Sequence, residues 1–204
     1  SEGTLGVITE LTLKLIPQPK ETISLIIPYP DMESCIGTVP AFFKNHLNPQ
    51  ALEFMGKEIV ISSEAYVGKQ VFPRKLDGVE AEAYLLVTFD GSSADELDTV
   101  IEKASEVVLE AGAIDVLVAD TPALKRDAWA ARSSFLEAIM ADTKLLDECD
   151  VVVPVTQIAP FLVYVKSLEE NVGLTVKSFG HAGDGNLHIY CCSNDLEEEE
   201  FLKR

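Results

Sequence analysis

The strongest constraint on the fold is a glycine-rich turn between two strand-like runs near the end of the chain. The runs are Leu174–Phe179 and Asn186–Cys192, and the turn contains Gly180, Gly183 and Gly185. Glycine adopts backbone conformations with positive φ at little steric cost, so these positions permit a tight reversal. We therefore predict a β-hairpin here.

Strand-like and helix-like segments alternate along the rest of the chain. The other predicted strands are Gly6–Ile16, Thr22–Pro28, Ala51–Met55, Ala83–Phe89, Asp115–Ala119 and Val151–Val153. Helices are predicted after the N-cap residues Asp31, Ser93 and Thr121, and a fourth over Ala159–Asn171. No phosphate-binding glycine motif joins a strand to a helix. This order predicts an α+β, ferredoxin-like fold with a mixed or antiparallel sheet and helices packed mainly on one face.

The composition fits one substantial core and a strongly acidic surface. Of 204 residues, 47% are hydrophobic, and 34 acidic against 16 basic residues give a formal net charge of −18. Because this charge repels phosphate backbones and no Lys/Arg cluster offsets it, we predict no nucleic-acid partner. A small anionic substrate would need a concentrated local positive charge, from arginine or from a metal ion.

The sequence also bears on the compartment. No apolar run reaches the roughly 18 to 20 residues that span a bilayer, so no transmembrane segment is predicted. The chain begins at Ser1 without a recognisable signal or transit peptide. The four cysteines show no Cys-x-x-Cys spacing. We therefore expect a reducing, cytoplasmic compartment, with peripheral membrane attachment and homodimerisation as open possibilities.

The glycine-rich turn carries two histidines, His181 and His188. Two convergent imidazoles form half of a typical divalent metal site, and Asp184 and Asn186 could orient the rings or contact a ligand. A catalytic site of this kind takes three protein ligands, so a third would come from elsewhere in the fold or from chain outside these residues. The alternative is a structural hairpin whose histidines only cap the turn.

The segment Gly-His-Ala-Gly-Asp-Gly-Asn-Leu-His over residues 180–188 resembles the signature of the C-terminal domain of FAD-linked oxidases. This family includes D-lactate dehydrogenases, the flavin subunit of glycolate oxidase and D-2-hydroxyglutarate dehydrogenase. The segments 49–53, 85–91 and 150–154 resemble further family blocks in the same order.

The resemblance implies a division of the chain into two parts. Residues 1–16 would be the tail end of an FAD-binding domain, where Ser1, Glu2 and Gly3 contact the FAD cofactor. Residues 17–204 would be the substrate and metal domain, cut short at its C-terminal end.

The resemblance also implies roles for single residues. His181 and His188 would bind a divalent cation, zinc or manganese, together with an acid from a later Glu-His-Gly segment, which does not follow His188 here. Asn186 would line the substrate pocket. In Trp129-Ala-Ala-Arg132, Arg132 would pair with the substrate carboxylate, for which the planar guanidinium is well suited.

The implied reaction is the oxidation of a D-2-hydroxy acid of the lactate, glycolate or 2-hydroxyglutarate type to the 2-keto acid. The hydride would pass to FAD, and the electrons would go to an acceptor that the sequence does not identify. Two alternatives remain: a non-catalytic interaction or dimerisation module that binds no metal, and a metal-dependent hydrolase. Against the hydrolase stands the lack of a further His/Asp cluster and of a nucleophile elbow.

The first prediction concerns the isolated 204-residue chain, which should be colourless and inactive because only the end of a flavin-binding domain lies in residues 1–16. A visible absorbance spectrum and an assay with 2-hydroxy acids check this. A yellow preparation with bound FAD would show that the domain boundary is misplaced.

Overall fold

The computed structural model describes residues 3–204 and is built on a seven-stranded sheet in which every strand pair is antiparallel. The strands are β1 (Glu21–Tyr29), β2 (Ala51–Gly56), β3 (Lys75–Leu76), β4 (Val79–Glu80), β5 (Ala83–Gly91), β6 (Leu117–Ala119), β7 (Leu145–Val152), β8 (Thr175–His181) and β9 (Asn186–Ser193). The order in the large sheet is β6-β1-β5-β2-β8-β9-β7, and β3 and β4 form a separate two-stranded hairpin.

Helices connect the strands. They are α1 (Met32–Gly37), α2 (Val39–Lys44), α3 (Lys57–Val67), α4 (Ala94–Glu110), α5 (Pro122–Ser133), α6 (Phe135–Asp142), α7 (Ile158–Ser167), α8 (Glu169–Val172) and α9 (Glu198–Phe201). Within the part of the chain that the structure describes, no helix combines the length and the apolar character needed to cross a membrane.

The predicted α+β class and antiparallel sheet are confirmed, but the helices lie on both faces of the sheet rather than mainly on one. One core joins the sheet to α1, α2, α4 and α7, and the other joins it to α3, α5 and α6. The reason is visible in β1, where the consecutive residues Leu25, Ile26 and Ile27 are all buried. Successive side chains of a strand point to opposite faces, so both faces of the central strands are apolar and both need a cover.

The predicted helix starts are confirmed by side-chain caps. Asp31, Ser93 and Thr121 each accept a hydrogen bond from a backbone N–H in the first turn of the following helix. The first helical region is split at Thr38, two residues before Pro40, because proline lacks the N–H that a continuous helix would need.

Other elements differ from the sequence prediction. Residues 6–16 form no strand: they are exposed and pair with no strand of residues 3–204. Helix α3 was not predicted, and its N-cap is Gly56, which provides no side-chain cap. Strand β7 is longer than the predicted Val151–Val153, because its first half contains acids that obscure the apolar pattern.

The predicted hairpin is formed by β8 and β9, with His181 opposite Asn186. Of the three glycines, only Gly185 has a positive φ, +81°. A Cβ on Gly180 would collide with the Asn186 carbonyl oxygen, so this position needs glycine for close approach. Gly183 has neither requirement, since a Cβ there would lie 3.6 Å from the nearest heavy atom, on Leu52.

The second prediction compares two glycines of this turn. Gly185→Ala should lower the free energy of unfolding by about 2 to 3 kcal/mol, because alanine is strained at this φ and its Cβ would collide with the Val153 carbonyl oxygen. The matched control Gly183→Ala should stay within about 1 kcal/mol of wild type. Urea unfolding of both variants measures the difference, and equal stabilities would contradict this account of the turn.

Candidate functional site

The two histidines of the hairpin lie on the same face of the sheet, the face covered by α5 and α6. Phe179 pairs with His188 across β8 and β9, and His181 lies two positions beyond Phe179 on the same strand. The side-chain alternation of the strands therefore directs both rings to one side. Their ring centroids are 5.7 Å apart, with 75° between the ring planes. The predicted proximity of the two imidazoles is observed.

Each ring is held at Nδ1 by a carboxylate. His181 Nδ1 lies 2.7 Å from Glu53 Oε1, and His188 Nδ1 lies 2.5 Å from Asp150 Oδ1. Because an ionised carboxylate only accepts hydrogen bonds, each Nδ1 is the donor in its contact, and Nε2 is the ring nitrogen left to bind a metal when the imidazole is neutral. Histidines that bind metals show this arrangement, in which a carboxylate fixes the tautomer and the ring orientation.

A second carboxylate lies beside His188. Glu148 Oε1 is 3.5 Å from His188 Nδ1 and accepts a 2.7 Å hydrogen bond from the Tyr190 hydroxyl. Burial, and after it the contact with Glu148, raises the pKa of Tyr190, so the hydroxyl remains a donor. Ligand atoms of Glu148, Asp150 and His188 all lie within 4.8 Å of one another. These groups are the donor types that divalent cations accept.

Arg132 lies near the C-terminal end of α5 and points at the same face. Its Nε and Nη2 donate to Glu53 Oε2, at 3.0 and 2.6 Å. The guanidinium carbon lies 5.3 Å from the ring centroid of Phe135 and 4.8 Å from that of Phe179, within cation–π range. Trp129, three residues earlier, donates from Nε1 to Ser24 Oγ at 3.2 Å and anchors this helix to β1. The Trp-x-x-Arg motif thus combines an anchor with a positioned cation.

One edge of the Arg132 guanidinium remains available. Glu53 occupies Nε and Nη2, whereas Nη1 has no hydrogen-bond partner within residues 3–204. Asn186 shows a comparable feature, because its Oδ1 is buried without a hydrogen-bond partner in the same described range. A buried acceptor without a partner costs about 1 to 3 kcal/mol, so this atom is a candidate for a ligand contact.

Four further residues were expected to contact the flavin or to orient the histidines. Ser1 and Glu2 lie outside the described residues, and Gly3 lies exposed in a turn with φ of +72°. Asp184 does not hold a histidine ring: its Oδ1 accepts from the backbone N–H of Asn186 and closes the turn. A cavity of about 270 Å³ borders this turn beside His181 and Glu53.

Sequence reasoning assigned no role to Glu53, Glu148 and Asp150. Glu53 carried the clearest signal, since it is an acid within the apolar strand Ala-Leu-Glu-Phe-Met and is only 5% exposed. Charged residues are rarely buried to that extent unless they are paired. The two acids of β7 were not recognised because most of that strand was not predicted.

Comparison with known sequences identifies the family. Residues 18–203 match the family described as FAD linked oxidases, C-terminal domain. The chain belongs to this family.

Individual relatives agree with the assignment. The chain is 70% identical over 204 residues to D-lactate dehydrogenase of Anaerostipes hadrus, covering 100% of this chain and 43% of that protein. It is 30% identical over 209 residues to glycolate oxidase subunit GlcD of Bacillus subtilis (strain 168), covering 100% and 42%. The structure of p-cresol methylhydroxylase with substrate bound matches with a TM-score of 0.62 at 12% identity, over 92% of this chain and 42% of that chain, a likeness of fold alone. This FAD-linked oxidase domain spans less than half the length of these relatives.

The third prediction concerns the ion pair between Arg132 and Glu53. Arg132→Met should lower the free energy of unfolding by about 3 kcal/mol, because it leaves a buried carboxylate without its main partner. Arg126→Met on the same helix is the control: Arg126 is 69% exposed, lies 3.6 Å from Asp127, and should cost less than about 1 kcal/mol. Urea unfolding measures both, and equal effects would show that the ion pair contributes little.

Proposed function

We propose that this FAD-linked oxidase domain forms the substrate- and metal-binding part of an FAD-dependent enzyme that oxidises a D-2-hydroxy acid to the 2-keto acid. The observation that carries the proposal is the convergence of His181, His188 and Arg132 on one face of the sheet, with both Nδ1 atoms held by carboxylates. Among 2-hydroxy acids we favour D-lactate, because the 70% identical relative is named D-lactate dehydrogenase.

The proposed metal ligands are His181 and His188 through their Nε2 atoms. The donor set fits a divalent cation, because the two imidazoles lie on the same side of the sheet and a carboxylate holds each ring at Nδ1. Zinc or manganese suits imidazole combined with carboxylate. A bound cation would supply Lewis acidity, lowering the pKa of a coordinated hydroxyl group.

The chain's own side chains would bind and orient the substrate. The terminal edge of Arg132 is available to a carboxylate, since Nη1 has no hydrogen-bond partner among residues 3–204. Phe135 and Phe179 hold the guanidinium plane in place. Oδ1 of Asn186, which has no hydrogen-bond partner among residues 3–204, would accept a hydrogen bond from a substrate hydroxyl. Fixing the carboxylate in this way restricts how the α-carbon is presented. FAD, when bound, supplies the hydride acceptor.

The proposal includes an FAD-binding domain that ends within residues 1–16, where Ser1, Glu2 and Gly3 would contact the flavin. Its support is the exposure of the apolar side chains in the described part of this segment. Seven large apolar residues there are 69 to 89% exposed: Leu5, Val7, Ile8, Leu11, Leu13, Leu15 and Ile16. A high density of exposed apolar side chains is typical of a segment that packs against another domain.

A cytoplasmic location is part of the same proposal. All four cysteines are free, which suits a reducing compartment. Homodimerisation and peripheral membrane attachment remain predictions, and no electron acceptor is assigned.

The fourth prediction tests the proposed function in the full-length protein with its flavin. D-lactate should be oxidised faster than glycolate or D-2-hydroxyglutarate, and exhaustive chelation should abolish the activity until zinc or manganese is restored. His181→Ala and His188→Ala should each remove the metal and most of the activity while the flavin stays bound, as measured by elemental analysis and by the flavin spectrum.

The matched control is His46→Asn, since His46 is an exposed histidine with φ of +58°, a conformation that asparagine tolerates. This variant should retain metal and activity. Two results would contradict the proposed metal site: full activity after complete removal of metal, or wild-type protein that contains no metal. Either result would favour the alternative in which this domain is an interaction module that binds no metal.

A further inference from the structure

Glu53 joins the two halves of the candidate site. One carboxylate oxygen, Oε1, contacts His181 Nδ1 at 2.7 Å, and the other, Oε2, accepts from Arg132 at 3.0 and 2.6 Å. The residue is 5% exposed, so its carboxylate is largely shielded from water. Its backbone lies directly opposite His181 in the pairing of β2 with β8. A single buried side chain therefore contacts both His181, the proposed metal ligand, and Arg132, which is proposed to bind the substrate carboxylate.

The two contacts are mechanically coupled because they use different oxygens of one planar group. A rotation of the Glu53 carboxylate therefore displaces both oxygens and alters both contacts. We propose that Glu53 is a positioning residue that keeps His181 oriented for the metal and Arg132 oriented for the substrate carboxylate. This inference rests on the proposed function and extends it to a residue that contacts neither the substrate nor the cation directly.

The chemistry of the side chain explains why a carboxylate is required at this position. Both of its oxygens accept hydrogen bonds, whereas a glutamine amide offers one acceptor and one donor group. If the amide oxygen of a glutamine accepted from Arg132, its NH₂ group would face His181 Nδ1. That nitrogen would then have to accept a hydrogen bond, which moves the ring proton to Nε2 and removes the lone pair proposed to bind the metal.

The fifth prediction uses Glu53→Gln in the full-length flavin-containing protein. After removal of metal with a chelator, titration with zinc or manganese should give an affinity at least 10-fold weaker than wild type, because changes in the groups that orient metal-binding histidines typically cost 10- to 100-fold. With saturating metal, the KM for D-lactate should also rise, since a neutral amide oxygen holds the Arg132 guanidinium less firmly than a carboxylate does.

The matched control is Glu64→Gln. Glu64 is 4% exposed, pairs with Arg74 and accepts from the backbone N–H groups of Val71 and Phe72, but it lies on α3 without contact to either histidine. This variant should lower the melting temperature and leave the metal affinity and KM unchanged. A purely structural role of Glu53 would make the two variants behave alike.

A second pair of variants covers the case in which Glu53→Gln fails to fold because Arg132 becomes a buried unpaired cation. The double variant Glu53→Gln with Arg132→Met removes that cation, and it should bind metal at least 10-fold more weakly than Arg132→Met alone. Wild-type metal affinity in Glu53→Gln, or equal affinities in the second pair, would overturn the inference while leaving the proposed function intact. A wild-type protein that binds no metal would overturn the proposed function, and this inference with it.

Discussion

The short pairing between β2 and β8 is the constraint on which the site depends. Only three residue pairs connect these strands, and one of them places Glu53 opposite His181. This contact joins the β6-β1-β5-β2 part of the sheet to the β8-β9-β7 part. A shift of register by one residue would turn Glu53 to the opposite face, because side chains alternate along a strand. The site would then lose the acid that holds both a histidine and an arginine.

The electrostatics of the site explain how an acidic protein could bind an acidic substrate. The chain has a formal net charge of −18, and acids surround both histidines. Arg132 is partly neutralised by Glu53, so the arginine alone is a weak attractor for a carboxylate. A cation bound by the histidines would be stabilised by the surrounding acids and would supply the missing positive charge. The proposed metal ion and Arg132 would therefore together supply the positive charge that the substrate carboxylate needs.

The fold and the proposed chemistry rest on different grounds. At 12% identity, p-cresol methylhydroxylase shares the architecture of this chain with a TM-score of 0.62, so the antiparallel sheet does not by itself specify a reaction. The match of residues 18–203 assigns the family, and the relatives extend well beyond this chain. The arrangement of His181, His188 and Arg132 supports the proposed reaction more directly than the fold does, because these are the groups that would contact the metal and the substrate.

The sequence by itself determined the elements that depend on interactions between near neighbours. The caps at Asp31, Ser93 and Thr121 and the hairpin at Gly185 each involve groups a few residues apart, and they were predicted correctly. The motif also indicated the proximity of the two histidines, because they flank a single turn.

Only the tertiary structure decided which distant groups meet. Arg132 and Glu53 are 79 residues apart, and His181 and Glu53 are 128 residues apart, so no local pattern records their contacts. The cover of helices on both faces likewise follows from strand order, which places β1 and β5 inside the sheet. A pattern along the chain reports which residues are apolar or charged, but long-range pairing sets their partners, because that pairing depends on the packing of the whole sheet.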